Sequence, residues 1–317
     1  MAEPKQDTLS MEQLSAKYAI AASILASDKT LQDALNRILA GKIVDPDLQL
    51  AELQKSDWYL KNTEDYRKFQ IAKTKNPATF EADLIKNTNA LILKYKAAGI
   101  PITTQEATTM AEKLMMKSQT VNGKVVVYDD TFINQTLAGA IDFSKKRTIG
   151  NVTLYDLGGN TEKLANQLYD MAWDYGFQST KSNKGFDQWL QNSVRGLVAG
   201  TITEEDLKAD LTNSAASAFP GLAAQLSRGQ TLREAADPWL KAISDTWEID
   251  QDALDLNDDF VNRILNQQDE KGNVTPMNLY QAKTAARKSP KWQFTERAKE
   301  EYTGMGQKIL QDFGFLG

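Results

Sequence analysis

Apolar positions recur along most of this chain at spacings of three and four, the signature of helices with one buried face. Leu9, Leu14, Tyr18, Ala21, Ala22 and Leu25 form one such row, and Leu31, Leu35, Ile38 and Leu39 form a second. Gly41 closes the second helix, since glycine tolerates the left-handed turn that follows a helix. Asp45-Pro46 opens the next, with aspartate as cap and proline in the first turn. Thr63-Glu64 and Pro77 mark further starts. A long helix is predicted from about Thr79 to Ala98, with Phe80, Leu84, Leu91 and Tyr95 inward. Gly99-Ile100-Pro101 stops it, and Thr104 to Lys117 is helical again.

The pattern then changes. Asn122-Gly123 is a strong hairpin signal, flanked by Thr120-Val121 and by Val125-Val126-Val127-Tyr128. A second extended stretch, Asn151 to Tyr155, precedes Gly158-Gly159, and Lys145-Lys146-Arg147 lies between the two. The residues leave open whether the two stretches pair. The helical period returns with Leu164, Leu168, Met171, Ala172 and Tyr175, then with Phe186, Trp189, Leu190, Val194 and Leu197. Thr231 to Trp247 is a further helix in which Pro238 predicts a kink or a break. Phe260, Ile264 and Leu265 define a short helix, and a last one runs from Thr295-Glu296 to Phe313-Gly314. The expected fold is mainly α: a multi-helix bundle of two related helical halves, residues 1–118 and 161–317, around a β-hairpin-containing excursion at 119–160.

The relation between the halves rests on one repeat. Ala40 to Leu48 and Ala199 to Leu207 both read Ala-Gly-x-Ile-x-acid-x-Asp-Leu. Each spells a helix hairpin: glycine ends one helix, isoleucine packs back, and a cap with nearby acids opens the next. Convergence on this chemistry and an ancient duplication both account for it.

Composition narrows the chemistry. The chain has 317 residues, enough to bury roughly 74% of its unfolded surface without staples. It has no cysteine and no histidine, which excludes disulfides, thiolate sites and every Ser-His-Asp arrangement. A net charge of −5 argues against a dedicated nucleic-acid binder. The first residues carry no secretory pattern. The uncharged run Tyr18 to Ser27 is about ten residues, against the roughly 20 that a membrane span needs. Synthesis in a cytoplasm is therefore expected, with neither signal peptide nor transmembrane segment.

Motifs for catalysis are lacking. Gly158 to Lys163 imitates a phosphate loop in composition alone, and Gly304-Met305-Gly306 does not continue into a dinucleotide fingerprint. The acids from Asp250 to Asp255 fail the calcium-loop pattern, with Leu254 at the fifth position and Val261 at the twelfth. Carboxylate-only glycoside chemistry needs no histidine. The Glu-Ser dipeptide of a lytic transglycosylase is, however, absent. No enzyme activity, catalytic residue, metal or cofactor is expected.

Charge and aromatics are unevenly placed. Asp245 to Glu270 carries nine acids and one base, and Lys271 to Lys299 seven bases and one acid. Such blocks either neutralise each other within one fold or make a bipolar assembly surface. Lys61, Arg67, Lys68, Lys73 and Lys75, with Tyr66 and Phe69 among them, read as a solvated helix face. Trp58, Tyr59, Trp239, Trp292 and Phe294 sit beside turn chemistry, and Phe313, Phe315 and Leu316 crowd the chain end. These eight residues are the candidate interface. For each tryptophan the competing reading is a lock between loop and helix. For the terminal peptide, an inward latch competes with an outward docking segment.

A set of segments carries a family resemblance. Trp58-Tyr59 with Thr63 is followed by Asn76-Pro77-Ala78-Thr79-Phe80, Phe219-Pro220 with Leu222, and Gly229-Gln230-Thr231. Ala236-Asp237-Pro238-Trp239, Ser289 to Thr295 and Ile309 to Gly314 complete it. Together they resemble helical virion proteins of tailed bacteriophages, the group labelled minor tail or structural proteins. The likeness spans most of 10–118 and 161–317 and leaves out 119–160. It implies a non-enzymatic virion component, tail-associated, whose partners are other tail or connector proteins or further copies of itself. The alternatives are an internal virion protein ejected with the DNA into the host envelope, and a carboxylate-based peptidoglycan-degrading enzyme.

Overall fold

A computed structural model describes residues 22–149, 152–177 and 184–313. Phe315, Leu316 and most of the first predicted helix lie outside them. The chain is mainly α. In order the elements are α1 (Ala22–Ser27), α2 (Lys29–Leu39), α3 (Pro46–Leu53), α4 (Asp57–Lys61), α5 (Glu64–Lys75), α6 (Pro77–Ala98) and α7 (Thr104–Met116). The strands β1 (Ser118–Val121) and β2 (Lys124–Val127) follow, then α8 (Asp130–Gly139), β3 (Lys146–Ile149) and β4 (Val152–Tyr155). Then come α9 (Gly159–Asp174), α10 (Lys184–Ala199), α11 (Glu204–Ala218), α12 (Ala223–Leu226), α13 (Leu232–Trp247) and α14 (Asp259–Leu265). A two-residue pair, β5 (Gln267–Gln268) and β6 (Val274–Thr275), leads to α15 (Leu279–Arg287) and α16 (Glu296–Asp312).

Contacts divide the chain into two units, 1–142 with 157–161 and 198–200, and 143–156 with 162–197 and 201–317. The central excursion is shared between them. Its first hairpin, β1–β2, belongs to the first unit, and its second, β3–β4, belongs to the other. The two extended stretches of the sequence therefore do not pair with each other: each has its own antiparallel partner.

In the first unit α6 packs along α7, with Phe80, Leu91, Tyr95 and Ala98 buried on α6 and Ala107, Met110 and Ala111 on α7. Thr103 and Glu106 form a reciprocal cap at the start of α7. A smaller cluster joins Leu25, Leu31 and Leu35 to Trp58 and Leu53. The end of α6 is fixed by close backbone packing. Gly99 adopts φ +80°, and a Cβ there would stand 2.3 Å from the carbonyl carbon and oxygen of Gly158. Thr161 Oγ1 completes the contact by donating to the Ala98 carbonyl (2.7 Å).

In the second unit the core is built on α13. Leu232, Ala236, Leu240, Ile243 and Trp247 face α11, α14 and α15, and Leu222, Leu226, Leu254 and Leu256 close the ends. The Trp247 indole donates to the Ala286 carbonyl (3.0 Å), tying α13 to α15. Of the kink or break expected at Pro238, the break does not occur: α13 runs through it. Pro238 lies on the exposed side, so water can serve the Glu234 carbonyl that the missing N–H leaves free.

Both copies of the repeat form helix hairpins. Gly41 (φ +67°) and Gly200 (φ +72°) end α2 and α10, and Asp45 and Thr203 cap α3 and α11. Their burial differs. Leu207 is buried at 5% exposure, whereas its counterpart Leu48 is 62% exposed, and both isoleucines are half-buried.

Thermal or denaturant unfolding reads the difference between tight and open sites. Gly99→Ala costs more than ~3 kcal/mol, because a rigid backbone meets the new methyl. Gly41→Ala, with open space around it, costs ~1–2 kcal/mol. Leu207→Ala costs ~2–4 kcal/mol, while Leu48→Ala stays within ~0.5 kcal/mol.

Candidate interaction surface

The aromatic residues singled out by the sequence fall into two groups. Trp58 is half-buried at the start of α4, and its backbone N–H donates to Asp28 Oδ2 (2.5 Å). Burial raises the Asp28 pKa, but hydrogen bonds from Thr30, Leu31 and Trp58 outweigh this and hold the carboxyl below its ordinary value. Tyr59 lies under the Arg67 guanidinium, 3.6 Å from its ring centre. Trp239 is half-buried and donates to the Met277 carbonyl (2.5 Å). Trp292 is buried, with Tyr302 5.8 Å away across its ring. Each of these rings touches its own unit. Phe294 and Phe313, by contrast, are 79% and 75% exposed.

The charged runs resolve in the same way. In the first unit Lys61 pairs with Asp57 (2.8 Å), Lys68 with Glu64 (2.5 Å) and Lys73 with Glu112 (3.2 Å). In the second unit the acidic and basic blocks meet, through Arg297 with Glu248 (3.6 Å) and Lys291 with Asp258 (4.0 Å). Lys291 Nζ also stands 4.4 Å from the Trp247 ring centre.

Glu248 does more than pair. It follows α13 in a left-handed conformation (φ +52°), and its carboxylate accepts from the backbone N–H of Glu296 (2.7 Å) and Arg297 (3.1 Å). Thr295 Oγ1 takes the N–H of Ala298 (3.1 Å). Three free donors at the start of α16 are thereby satisfied from two places in the unit.

Beyond Ala298, α16 keeps two contacts with its unit, Glu301 with Arg287 (2.8 Å) and Tyr302 with Trp292, and then leaves it. Residues 299–313 are exposed, apart from half-buried Gly306. Tyr302, Met305, Ile309 and Phe313 recur at spacings of three and four on one face, with Leu310 beside them. Their exposures run from 49% to 75%. The sequence picked out Phe313 but passed over Tyr302, Met305 and Ile309, although the same spacing was legible. Periodicity marks a face and does not say whether the fold covers it.

A groove of about 290 Å³ in the first unit is lined by Asp65, Lys68, Phe69, Asn76, Phe80 and Asp83. Its polar groups are partly committed: Asp65 accepts from Ser118 Oγ (2.8 Å) and Lys68 holds Glu64. In the second unit burial pushes the Asp174 carboxyl above its ordinary range, against the pull of Arg233. Arg233 is itself pushed down by burial and packs 4.7 Å from the Trp173 ring centre. Its Nη2 donates to the Leu254 carbonyl (2.9 Å), while Nε and Nη1 are buried without partners. A desolvated acid near a desolvated arginine occurs in catalytic sites and in structural ion clusters alike. Among the described residues no three acids gather as a metal site, and no helix is long and apolar enough to cross a membrane. Comparison with protein-family models, curated proteins and solved structures found no match.

The cap on α16 has a pH signature. Donation from the Glu296 N–H, ahead of that from Arg297, holds the Glu248 pKa below its ordinary value of 4.5. A carboxyl depressed by folding stabilises above its unfolded pKa, and that contribution is lost as pH falls through the folded value. Glu248→Gln is expected to lower Tm by a few degrees at neutral pH. The gap to the parent protein should narrow as the pH drops below 4.5.

Proposed function

We infer that this chain is a non-enzymatic structural component of a tailed bacteriophage particle, built into the tail and bound to other virion proteins. The observation that carries this reading is the uncovered face of α16. A helix of 17 residues is marginal on its own in water. Gly304 and Gly306 weaken it further, by ~1 kcal/mol each. Yet α16 is anchored at its first turn by Glu248 and Thr295, and past Tyr302, whose ring meets Trp292, it leaves Met305, Ile309, Leu310 and Phe313 exposed. Helix-in-groove docking uses this arrangement, with anchors at three- and four-residue spacing. The likeness of the motif set to minor tail proteins supplies the setting, and the partner is a tail or connector protein with an apolar groove.

Quantitative mass spectrometry of purified particles tests the setting. Enrichment in separated tails, retained in particles emptied of DNA, is expected. Loss with the DNA would make it an ejected protein, and absence from every fraction would sink the virion reading. Met305→Glu with Ile309→Glu tests the surface: incorporation should fall at least tenfold while circular dichroism and Tm stay unchanged. Normal incorporation of this variant would remove α16 as the docking element.

A further inference from the structure

We propose that two copies of this chain join through the outer edge of β2, forming a four-stranded antiparallel sheet about a two-fold axis at Val126. This goes beyond the reading of α16 and concerns the other unit, so either can fail alone.

The register fixes which backbone groups are free. The Tyr128 N–H donates to the Lys117 carbonyl (2.6 Å), so that pair is hydrogen-bonded, and bonded pairs alternate along an antiparallel ladder. The pairs Gln119–Val126 and Val121–Lys124 are therefore bonded, while Ser118–Val127 and Thr120–Val125 are not. The N–H and C=O of Val125 and Val127 consequently point outward. The two edges of the hairpin are treated differently. On β1 the outward carbonyl of Ser118 accepts from Thr63 Oγ1 (2.8 Å), so the start of α5 covers that edge. Nothing described covers the edge of β2, and Val125 and Val127 are 63% and 57% exposed. Apart from its short length, the strand lacks the usual protections, since it has no proline and its one lysine, Lys124, stands at the turn.

A second β2 fits this edge. With Val126 opposite Val126 of the partner subunit, Val125 faces Val127 of the partner subunit and Val127 faces Val125 of the partner subunit. Both are pairs whose free groups point at each other, which yields four N–H···O bonds. The four valines share one face of the new sheet. The same register brings exposed Lys124 opposite Tyr128 of the partner subunit, next to Asp129 and Asp130 of the partner subunit, and the axis repeats this pairing. Among the described residues neither Lys124 nor Asp130 forms an ion pair. Strands of four residues bury less than the ~1,200 Å² of a stable interface, so the dimer is weak and concentration-dependent.

The chain has no cysteine, so one introduced thiol reports on the axis. Directly opposed residues of a non-bonded antiparallel pair have Cα atoms ~4.5 Å apart, within the disulfide range. Under mild oxidation Val126→Cys should give a covalent dimer at least tenfold faster than Val121→Cys, which lies off the axis. In sedimentation the parent protein should dimerise with rising concentration. Val125→Lys with Val127→Lys should remain monomeric, with unchanged circular dichroism, because lysine would face lysine. A parent protein monomeric up to ~1 mM would overturn the proposal. So would equal cross-linking at positions 121 and 126, or undiminished dimerisation of the double lysine variant, which would place the contact elsewhere.

Discussion

The second unit depends on the buried face of α13. Leu232, Leu240 and Ile243 are fully enclosed, and the elements around them are too short to hold a helical conformation in water alone. The stretch from Pro220 to Leu226, the four-residue α12 and the seven-residue α14 become ordered because Leu222, Leu226, Val261, Ile264 and Leu265 find this face. Trp247 extends the same face to α15 by adding a hydrogen bond to apolar packing.

Charge works at the margin of that core. The acidic block and the basic block, adjacent in the chain, meet in space, and their best-placed pair is Glu248 with the start of α16. One carboxylate there accepts two backbone donors and stands beside Arg297, which places it at the positive end of the helix. The cap holds the first turn of α16 against the core while the apolar row beyond it stays uncovered. An anchored root and a free face are what a docking helix requires.

Local chemistry made much of the fold legible. Asp45-Pro46, Thr63, Pro77 and Thr295 start helices where their side chains or missing N–H suit a first turn. Asn122-Gly123 turns a hairpin with both residues at positive φ. Pro238 does not break α13 because its cost depends on exposure: on the outer face of the helix the freed carbonyl meets water. Trp58, Tyr59, Trp239 and Trp292 each found contacts within their own unit, which an aromatic beside a turn does not announce. The same ambiguity hid Met305 and Ile309, whose spacing is that of any core-facing row.

The sequence by itself determined the helical class, most element boundaries, the Asn-Gly hairpin and the absence of thiol and imidazole chemistry. These depend on residue identity and on neighbours a few positions away. Tertiary structure alone decided which apolar rows are covered, that the two hairpins belong to different units, and that Leu207 is buried while its repeat partner Leu48 is exposed. Burial depends on what the rest of the chain brings to a surface, and two identical local patterns meet different surroundings.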